Sequence, residues 1–253
     1  MLRLIKYQYR KDLPMYIVIF SVIMALASYL ALSIAAESEF NMVFAMILYI
    51  LCGSGAVIFI MILGVISYSK EINSKSSFMT FMTPLSTFEI VGAKYITLIV
   101  TTVVTTALYA GGGYLNIMLA VAKFNEINDI RDMLDYMLTL FDSSFTEIMS
   151  TFFVAVFSVW LTILLTVSYA YLAITLSSTI LANRRGKGWL AVGLFVGIII
   201  FVNLITNIIP KFDFGDSFVE QFLSNWLVYL FEILLIIGTY FGVSILLKKK
   251  VSL

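Results

Sequence analysis

Six long apolar stretches, separated by short polar segments, dominate the hydropathy pattern of the chain. Each stretch is longer than the roughly 20 residues that a helix needs to cross the hydrocarbon core of a bilayer. The pattern therefore predicts an all-α integral membrane protein with a single transmembrane domain over residues 1–253. We place its six transmembrane helices at about residues 14–36, 42–68, 87–122, 145–182, 188–209 and 224–247.

The basic residues are concentrated in alternate polar segments. Of the 16 Lys and Arg residues, only Lys123, Arg131 and Lys211 lie outside four segments, which precede the first stretch and follow the second, fourth and sixth; the segment after the second stretch extends to Lys94, in the first turns of the third helix. Basic residues near the ends of spans are enriched on the cytoplasmic side of membrane proteins. This asymmetry predicts that both termini are cytoplasmic.

Composition argues against several kinds of protein. With 61% hydrophobic and 12% charged residues, these 253 residues leave no room for a soluble domain. The sequence has no His, its one cysteine is Cys52 inside an apolar stretch, and it has no G-x-x-x-x-G-K-[ST] phosphate loop. We therefore expect no enzyme activity, no metal site, no cofactor bound by the chain itself and no nucleic-acid partner.

Two segments outside the spans have amphipathic character. Residues 1–13 predict a basic interfacial helix on the inner leaflet, although the same residues also fit an ordinary topology signal. Residues 130–141 place apolar side chains at i, i+3, i+4, i+7, i+8 and i+11, which predicts an extracytoplasmic amphipathic helix between spans three and four. Residues 211–223 fit a segment that dips into the interface.

The cytoplasmic loop between spans two and three contains two helix boundaries. Phe78, Phe81 and Met82 recur at helical spacing with Met79 beside them, and Pro84 ends this short helix. Such a helix fits either a docking element for another protein or a segment lying flat on lipid.

The start of the third span is specified locally. Ser86 and Glu89 have the spacing of a capping box, in which each side chain bonds a free backbone N–H group of the first helical turn. Further along, Gly111 to Gly113 predict an interruption or bend near the outer end of this helix.

Glu232 is the only ionisable residue deep within an apolar stretch. Asn225 and Thr239 stand seven residues to either side, on the same helical face. Ionisable residues at this depth usually face protein or water and mark substrate or proton paths. The alternative is a hydrogen-bonded carboxyl that ties the last helix to a neighbour.

Two glycine pairs and a series of hydroxyl residues also lie inside the spans. Gly193 with Gly197, and Gly238 with Gly242, have the G-x-x-x-G spacing that permits close helix packing or a subunit interface. The fourth stretch carries hydroxyl groups that can bond to their own helix or to another one: Ser158, Thr162, Thr166, Ser168 and Thr175.

The loop sequence from Ser69 to Lys94 reads SKEINSKSSFMTFMTPLSTFEIVGAK. Its short polar helix, its Pro-Leu-Ser turn and its later Gly-Ala-Lys resemble the link between spans two and three of ABC-2-type (type V) ABC exporters. With its six spans, the chain resembles the membrane (permease) subunit of that family. It contains neither the fused ATPase domain nor the large external domain of the larger members.

The resemblance implies that this loop holds a coupling helix that contacts a separate ATPase subunit, present in two copies, which binds the ATP and Mg²⁺. It implies a second permease subunit, identical or paralogous, and a pore lined mainly by the second and fifth spans. The Ile-, Lys- and Asn-rich, proline-poor composition indicates a bacterial genome, and hence a bacterial cell membrane. The residues it assigns to ATPase coupling are Glu71, Lys75, Phe78, Met79, Phe81 and Met82.

Asn203 and Asn207 lie in the fifth span, and with Glu232 they are candidates for the translocation path. Few other polar groups occur in the pore-lining spans. The expected function is therefore export of a hydrophobic or amphipathic substrate, such as a peptide, an antimicrobial or a lipid-like molecule. The alternatives are a proton-coupled carrier that uses Glu232 and a membrane scaffold or sensor that recruits a cytoplasmic partner.

Overall fold

The computed structural model describes residues 2–73, 86–125, 145–181, 186–210 and 218–251. Within these ranges the chain is helical apart from short turns, because the backbone of an apolar segment satisfies its polar groups inside a helix. The helices are α1 (Leu2–Ala35), α2 (Glu39–Asn73), α3 (Thr87–Asn125), α4 (Phe145–Ile180), α5 (Lys187–Thr206), α6 (Phe218–Ser224) and α7 (Trp226–Val251).

Six of these helices, all except α6, are long and apolar enough to cross a membrane. The described part of the chain is therefore all-helical, and six of its helices have the length and apolar composition that we predicted for membrane spans, as in a multi-pass membrane protein. The predicted helix over residues 130–141 lies outside the described residues. So does the 211–217 part of the segment expected to dip into the interface, whereas α6 forms the rest of that segment.

Two helices continue through residues at which we expected a boundary or an irregularity. α1 runs through Pro14, so residues 2–13 form its first turns and no separate interfacial helix. Proline removes one backbone hydrogen bond, which a long membrane helix tolerates. α3 likewise runs through the triplet Gly111 to Gly113 without an interruption.

The chain divides into two compact units. Unit 1 comprises Met1–Gln8, Met61–Ile99 and Phe153–Leu253, and unit 2 comprises Tyr9–Ile60 and Val100–Phe152. Helices α1 to α4 contribute residues to both units, whereas α5, α6 and α7 belong to unit 1. The boundary therefore falls within helices and not at a linker.

In unit 2, the glycine triplet permits a close contact between helices. A Cβ atom at Gly112 would lie 2.7 Å from the Tyr49 hydroxyl and 3.3 Å from Ala27 Cβ. The Tyr49 hydroxyl donates a hydrogen bond to the Tyr109 carbonyl, and the two rings stack with centroids 4.7 Å apart. The absence of a side chain at Gly112 therefore serves packing and not a break in the helix.

One exposed ion pair also belongs to unit 2. Glu37, which turns the chain after α1 with a φ of 53°, lies 2.8 Å from Lys123 Nζ. The hydrogen bond from Lys123, and then its positive charge, lower the pKa of the Glu37 carboxyl below its ordinary value.

The predicted capping box at the start of α3 is present. The Ser86 hydroxyl accepts a hydrogen bond from the Glu89 backbone N–H at 3.2 Å, and the Ser86 N–H donates to Glu89 Oε2 at 3.0 Å. α5 begins differently, after Gly186 in the left-handed region with a φ of 116°.

Candidate functional site

A polar cavity lies in unit 1 between α4, α5 and α7. Its volume is about 300 Å³, the lower end of the usual size for small-molecule pockets. Leu165, Ile199, Val202 and Val228 supply apolar wall. The polar side chains are Tyr169, Asn203, Thr206, Asn207, Asn225, Tyr229 and Glu232. We call this site the polar cavity.

Glu232 and Tyr169 are the two chemically unusual groups of the polar cavity. The Glu232 carboxyl is partly buried, and within the described chain it makes no hydrogen bond or ion pair with a protein group. Tyr169 is 4% exposed, and its hydroxyl has no hydrogen-bond partner among the described residues. The carboxyl lies close enough to this hydroxyl to interact with it electrostatically.

The polar cavity brings together the three residues that we predicted for a translocation path: Asn203, Asn207 and Glu232. Asn225, which immediately precedes α7, also lines it, whereas Thr239 does not. Thr239 lies seven residues beyond Glu232 in α7, where it is buried and donates to the Ile236 carbonyl at 2.9 Å.

The sequence analysis missed Tyr169, Thr206 and Tyr229. Tyr229 lies three residues before Glu232 and Thr206 three residues after Asn203, so helical spacing contained a signal for both. Tyr169 has no such signal, because only the packing of α4 against α5 and α7 brings it to the cavity.

A buried ion pair, far along the chain from these residues, joins the end of α2 to the start of α3. Lys94 Nζ lies 2.7 Å from Glu71 Oε1 and donates a hydrogen bond to Ser67 Oγ at 3.1 Å. The side chains of Lys94 and Glu71 are 5% and 14% exposed. We call this pair the clamp, because it links two helices on either side of residues 74–85.

The clamp gives Glu71 a role inside the chain. We predicted Glu71 as one of the ATPase-coupling residues, which stays a prediction; the structure places its carboxylate against Lys94 with little exposed surface. The other predicted coupling residues lie outside the described residues: Lys75, Phe78, Met79, Phe81 and Met82.

Four tyrosines near the clamp, one from each of α2, α3, α4 and α7, form a cluster in unit 1. The rings of Tyr68 and Tyr171 stack at 4.0 Å, and Tyr95 meets Tyr171 and Tyr240 edge-on at 5.6 and 6.0 Å. Three of the hydroxyls bond to other helices: that of Tyr68 to the Thr175 hydroxyl at 2.6 Å, that of Tyr95 to the Ser168 hydroxyl at 2.8 Å, and that of Tyr240 to the Phe88 carbonyl at 3.0 Å. We call this group the tyrosine cluster.

The hydroxyl residues of α4 make two kinds of hydrogen bond, within their own helix and to other helices. All five hydroxyls donate to the carbonyl four residues earlier, at 2.6 to 2.9 Å: those of Ser158, Thr162, Thr166, Ser168 and Thr175. Ser168 and Thr175 also bond to the tyrosine cluster. The two alternatives stated for these residues thus occur together.

The predicted glycine pairs differ in their surroundings. A Cβ atom at Gly193, Gly197 or Gly238 would meet no described atom within 4 Å, whereas one at Gly242 would lie 3.9 Å from Leu172 Cδ1. Gly193 and Gly197 therefore mediate no close helix contact within the described chain. A subunit interface at this pair stays a prediction.

Comparisons with protein-family models, with curated proteins and with solved structures gave no match to this chain.

Proposed function

We propose that this chain is the permease subunit of an ABC-2-type exporter, driven by a separate pair of ATPase subunits that dock on residues 70–84. Both termini are then cytoplasmic, in a bacterial cell membrane, and the chain pairs with a second permease subunit. The proposed substrate is hydrophobic or amphipathic.

The polar cavity is the observation that carries the proposal. Polar and ionisable side chains are costly inside an apolar span and usually mark a route for substrate or ions. Here Asn203 and Glu232, from two different helices, meet in a space of about 300 Å³. A purely structural carboxyl would have a hydrogen-bonding partner in a neighbouring helix, and Glu232 has none within the described chain.

The clamp supports the part of the proposal that concerns coupling. Residues 74–85 lie outside the described residues, but the helices at both ends of this segment are joined by the Glu71–Lys94 ion pair. Force applied to the segment would therefore move the ends of α2 and α3 together. In the proposed cycle the ATPase pair binds ATP, closes and pushes on this segment, which switches the permease between inward and outward access.

The exposure of α5 supports a paired assembly. Val202 is its only buried residue among those described, and Gly193 and Gly197 have open space around them. Small residues let two membrane helices approach closely. We propose this face of α5 as part of the contact with the second permease subunit.

Affinity purification of the tagged chain from mild detergent, followed by mass spectrometry, tests the proposal. We expect an ATPase with a Walker motif in about equal amount, and Phe78→Asp is expected to remove it, since a charge would disrupt an apolar docking surface. The matched variant Phe78→Leu keeps the apolar character and is expected to retain the ATPase. A chain that captures no ATPase after cross-linking in intact membranes would refute the proposal.

A proton-coupled carrier is the second candidate, because the unpaired Glu232 carboxyl and the Tyr169 hydroxyl share the polar cavity. Loss of transport in Glu232→Gln does not separate the two candidates, since both place Glu232 on the path. The source of energy separates the two candidates. A carrier stops when a protonophore collapses the proton gradient, even while ATP is present. The exporter stops when the catalytic residues of its ATPase partner are replaced.

A further inference from the structure

We infer that the polar cavity binds a positively charged amine, with Glu232 as the counter-ion and an apolar body of the ligand against the cavity wall. This inference rests on the proposed function only in taking that ligand to be the transported substrate. The binding chemistry itself follows from the residues of the cavity.

The charge of the cavity selects a cation. Among the described residues that line it, Glu232 is the one with a carboxyl group, and none is Lys or Arg. A carboxylate held in apolar surroundings without a counter-charge is strongly disfavoured, and a ligand that brings a positive charge relieves this cost. An anionic ligand would instead meet a charge of its own sign.

The hydrogen-bonding groups of the cavity favour an ammonium group in particular. A primary ammonium has three N–H donors and no acceptor. The Tyr169 hydroxyl, 4% exposed and unpartnered within the described chain, has an oxygen that can accept one of these bonds. The Glu232 carboxylate accepts a second one, and the amide oxygens of Asn203 and Asn207 are further acceptors on the same wall.

The remaining wall suits the apolar part of an amphipathic amine. Leu165, Ile199 and Val202 are aliphatic, and the Tyr229 ring also lines the cavity. That ring is held in place by stacking on Phe222, with centroids 4.4 Å apart. An aromatic ring beside a cation adds a cation–π attraction.

A metal ion fits the cavity less well than an organic cation. Hard cations such as Ca²⁺ take six or more oxygen ligands, with several carboxylates among them. The described lining of the cavity offers one carboxylate, and the described residues contain no group of three or more His, Cys, Asp or Glu side chains that could hold a metal.

The test is isothermal titration calorimetry of the full chain in lipid nanodiscs, without any ATPase, using n-octylammonium and the neutral n-octanol as probes. We expect octylammonium to bind and Glu232→Gln to weaken its binding about tenfold or more, as for the loss of a charged hydrogen bond. Tyr169→Phe is expected to weaken it about three- to tenfold, as for the loss of a single hydrogen bond. Glu37→Gln and Tyr114→Phe make the same changes at exposed positions and are expected to leave binding unchanged.

Three results would overturn the inference: equal binding of octanol and octylammonium, unchanged affinity in folded Glu232→Gln, or displacement of octylammonium by K⁺ at equal concentration. Circular dichroism and gel filtration establish that each variant is folded. Because the assay contains no ATPase, its result is independent of the purification experiment. Glu232-dependent amine binding without a captured ATPase would keep this inference and reject the exporter.

Discussion

At the scale of single residues, the most informative contact is the ion pair between Lys94 and Glu71. Both side chains are largely withdrawn from solvent, where a charge is tolerated only with a partner. Removing one member of a buried pair leaves the other uncompensated, which costs about 3–5 kcal/mol, whereas replacing both members by apolar residues is often nearly neutral.

We therefore expect Glu71→Gln to lower the free energy of unfolding by about 3 kcal/mol, because it removes the carboxylate that pairs with the buried ammonium group of Lys94. The double variant Glu71→Leu with Lys94→Met is expected to recover most of this loss. Denaturation in detergent, monitored by tryptophan fluorescence, measures the free energy of unfolding of the single and the double variant. The control is Glu37→Gln, since the Glu37–Lys123 pair is exposed and its loss is expected to be undetectable. A double variant that is destabilised as much as Glu71→Gln would contradict the assignment.

The glycine triplet supplies a second prediction at this scale. A Cβ atom at Gly112 would lie 2.7 Å from the Tyr49 hydroxyl, whereas one at Gly111 would meet nothing within 4 Å. We expect Gly112→Ala to destabilise the protein by about 1–3 kcal/mol through overpacking. Gly111→Ala is expected to be neutral or to stabilise it by up to about 1 kcal/mol through helix propensity.

Thermal unfolding of the two variants side by side checks this prediction. The substitutions are chemically identical and one residue apart, so helix propensity acts on both in the same direction. Equal melting temperatures would show that Tyr49 moves aside at no cost and that the contact at Gly112 is not a tight one.

At the scale of elements, the start of α3 is fixed by its own sequence. The capping box between Ser86 and Glu89 satisfies backbone N–H groups that would otherwise lack partners. Because residues 74–85 lead directly into Ser86, this cap also fixes where the proposed coupling segment ends.

We expect Ser86→Ala to destabilise α3 by about 1 kcal/mol, the usual cost of losing an N-cap. Hydrogen exchange at the first turn of α3 is expected to accelerate, while exchange at the start of α7 stays unchanged. The matched variant Ser54→Ala removes a hydroxyl that only donates to a carbonyl of its own helix, and is expected to have little effect. Unchanged exchange in Ser86→Ala would mean that packing and not the cap holds the turn.

At the scale of the whole molecule, the open face of α5 stands out, since Gly193 and Gly197 have no neighbour within the described chain. In a Cys52→Ser background, which removes the only cysteine, we expect Gly193→Cys to form a disulfide-linked pair of membrane subunits upon mild oxidation, with a cysteine introduced at the corresponding position of the partner where that partner is a paralogue. Gly111→Cys, at an equally open glycine of α3, is expected to remain unlinked. Mass spectrometry of the linked product separates an identical partner from a paralogous one.

The outcome against a subunit interface is equally clear. If Gly193→Cys and Gly197→Cys stay unlinked in intact membranes that contain the complete assembly, α5 does not contact a second permease at this face. The glycines at this face then serve another purpose.

The sequence by itself determined the six membrane helices and the capped start of α3, because apolar length and capping are local properties that need no neighbour. It also selected Asn203, Asn207 and Glu232, since polar groups stand out in apolar spans. Only the tertiary structure decided that these three residues meet in one cavity, that Tyr169 joins them, and that Lys94 pairs with Glu71. These contacts depend on how the helices are rotated and packed, and small differences in side-chain fit along whole helices set that rotation. The same reason explains why Pro14 and Gly112, which act as breaks in isolation, lie inside continuous helices.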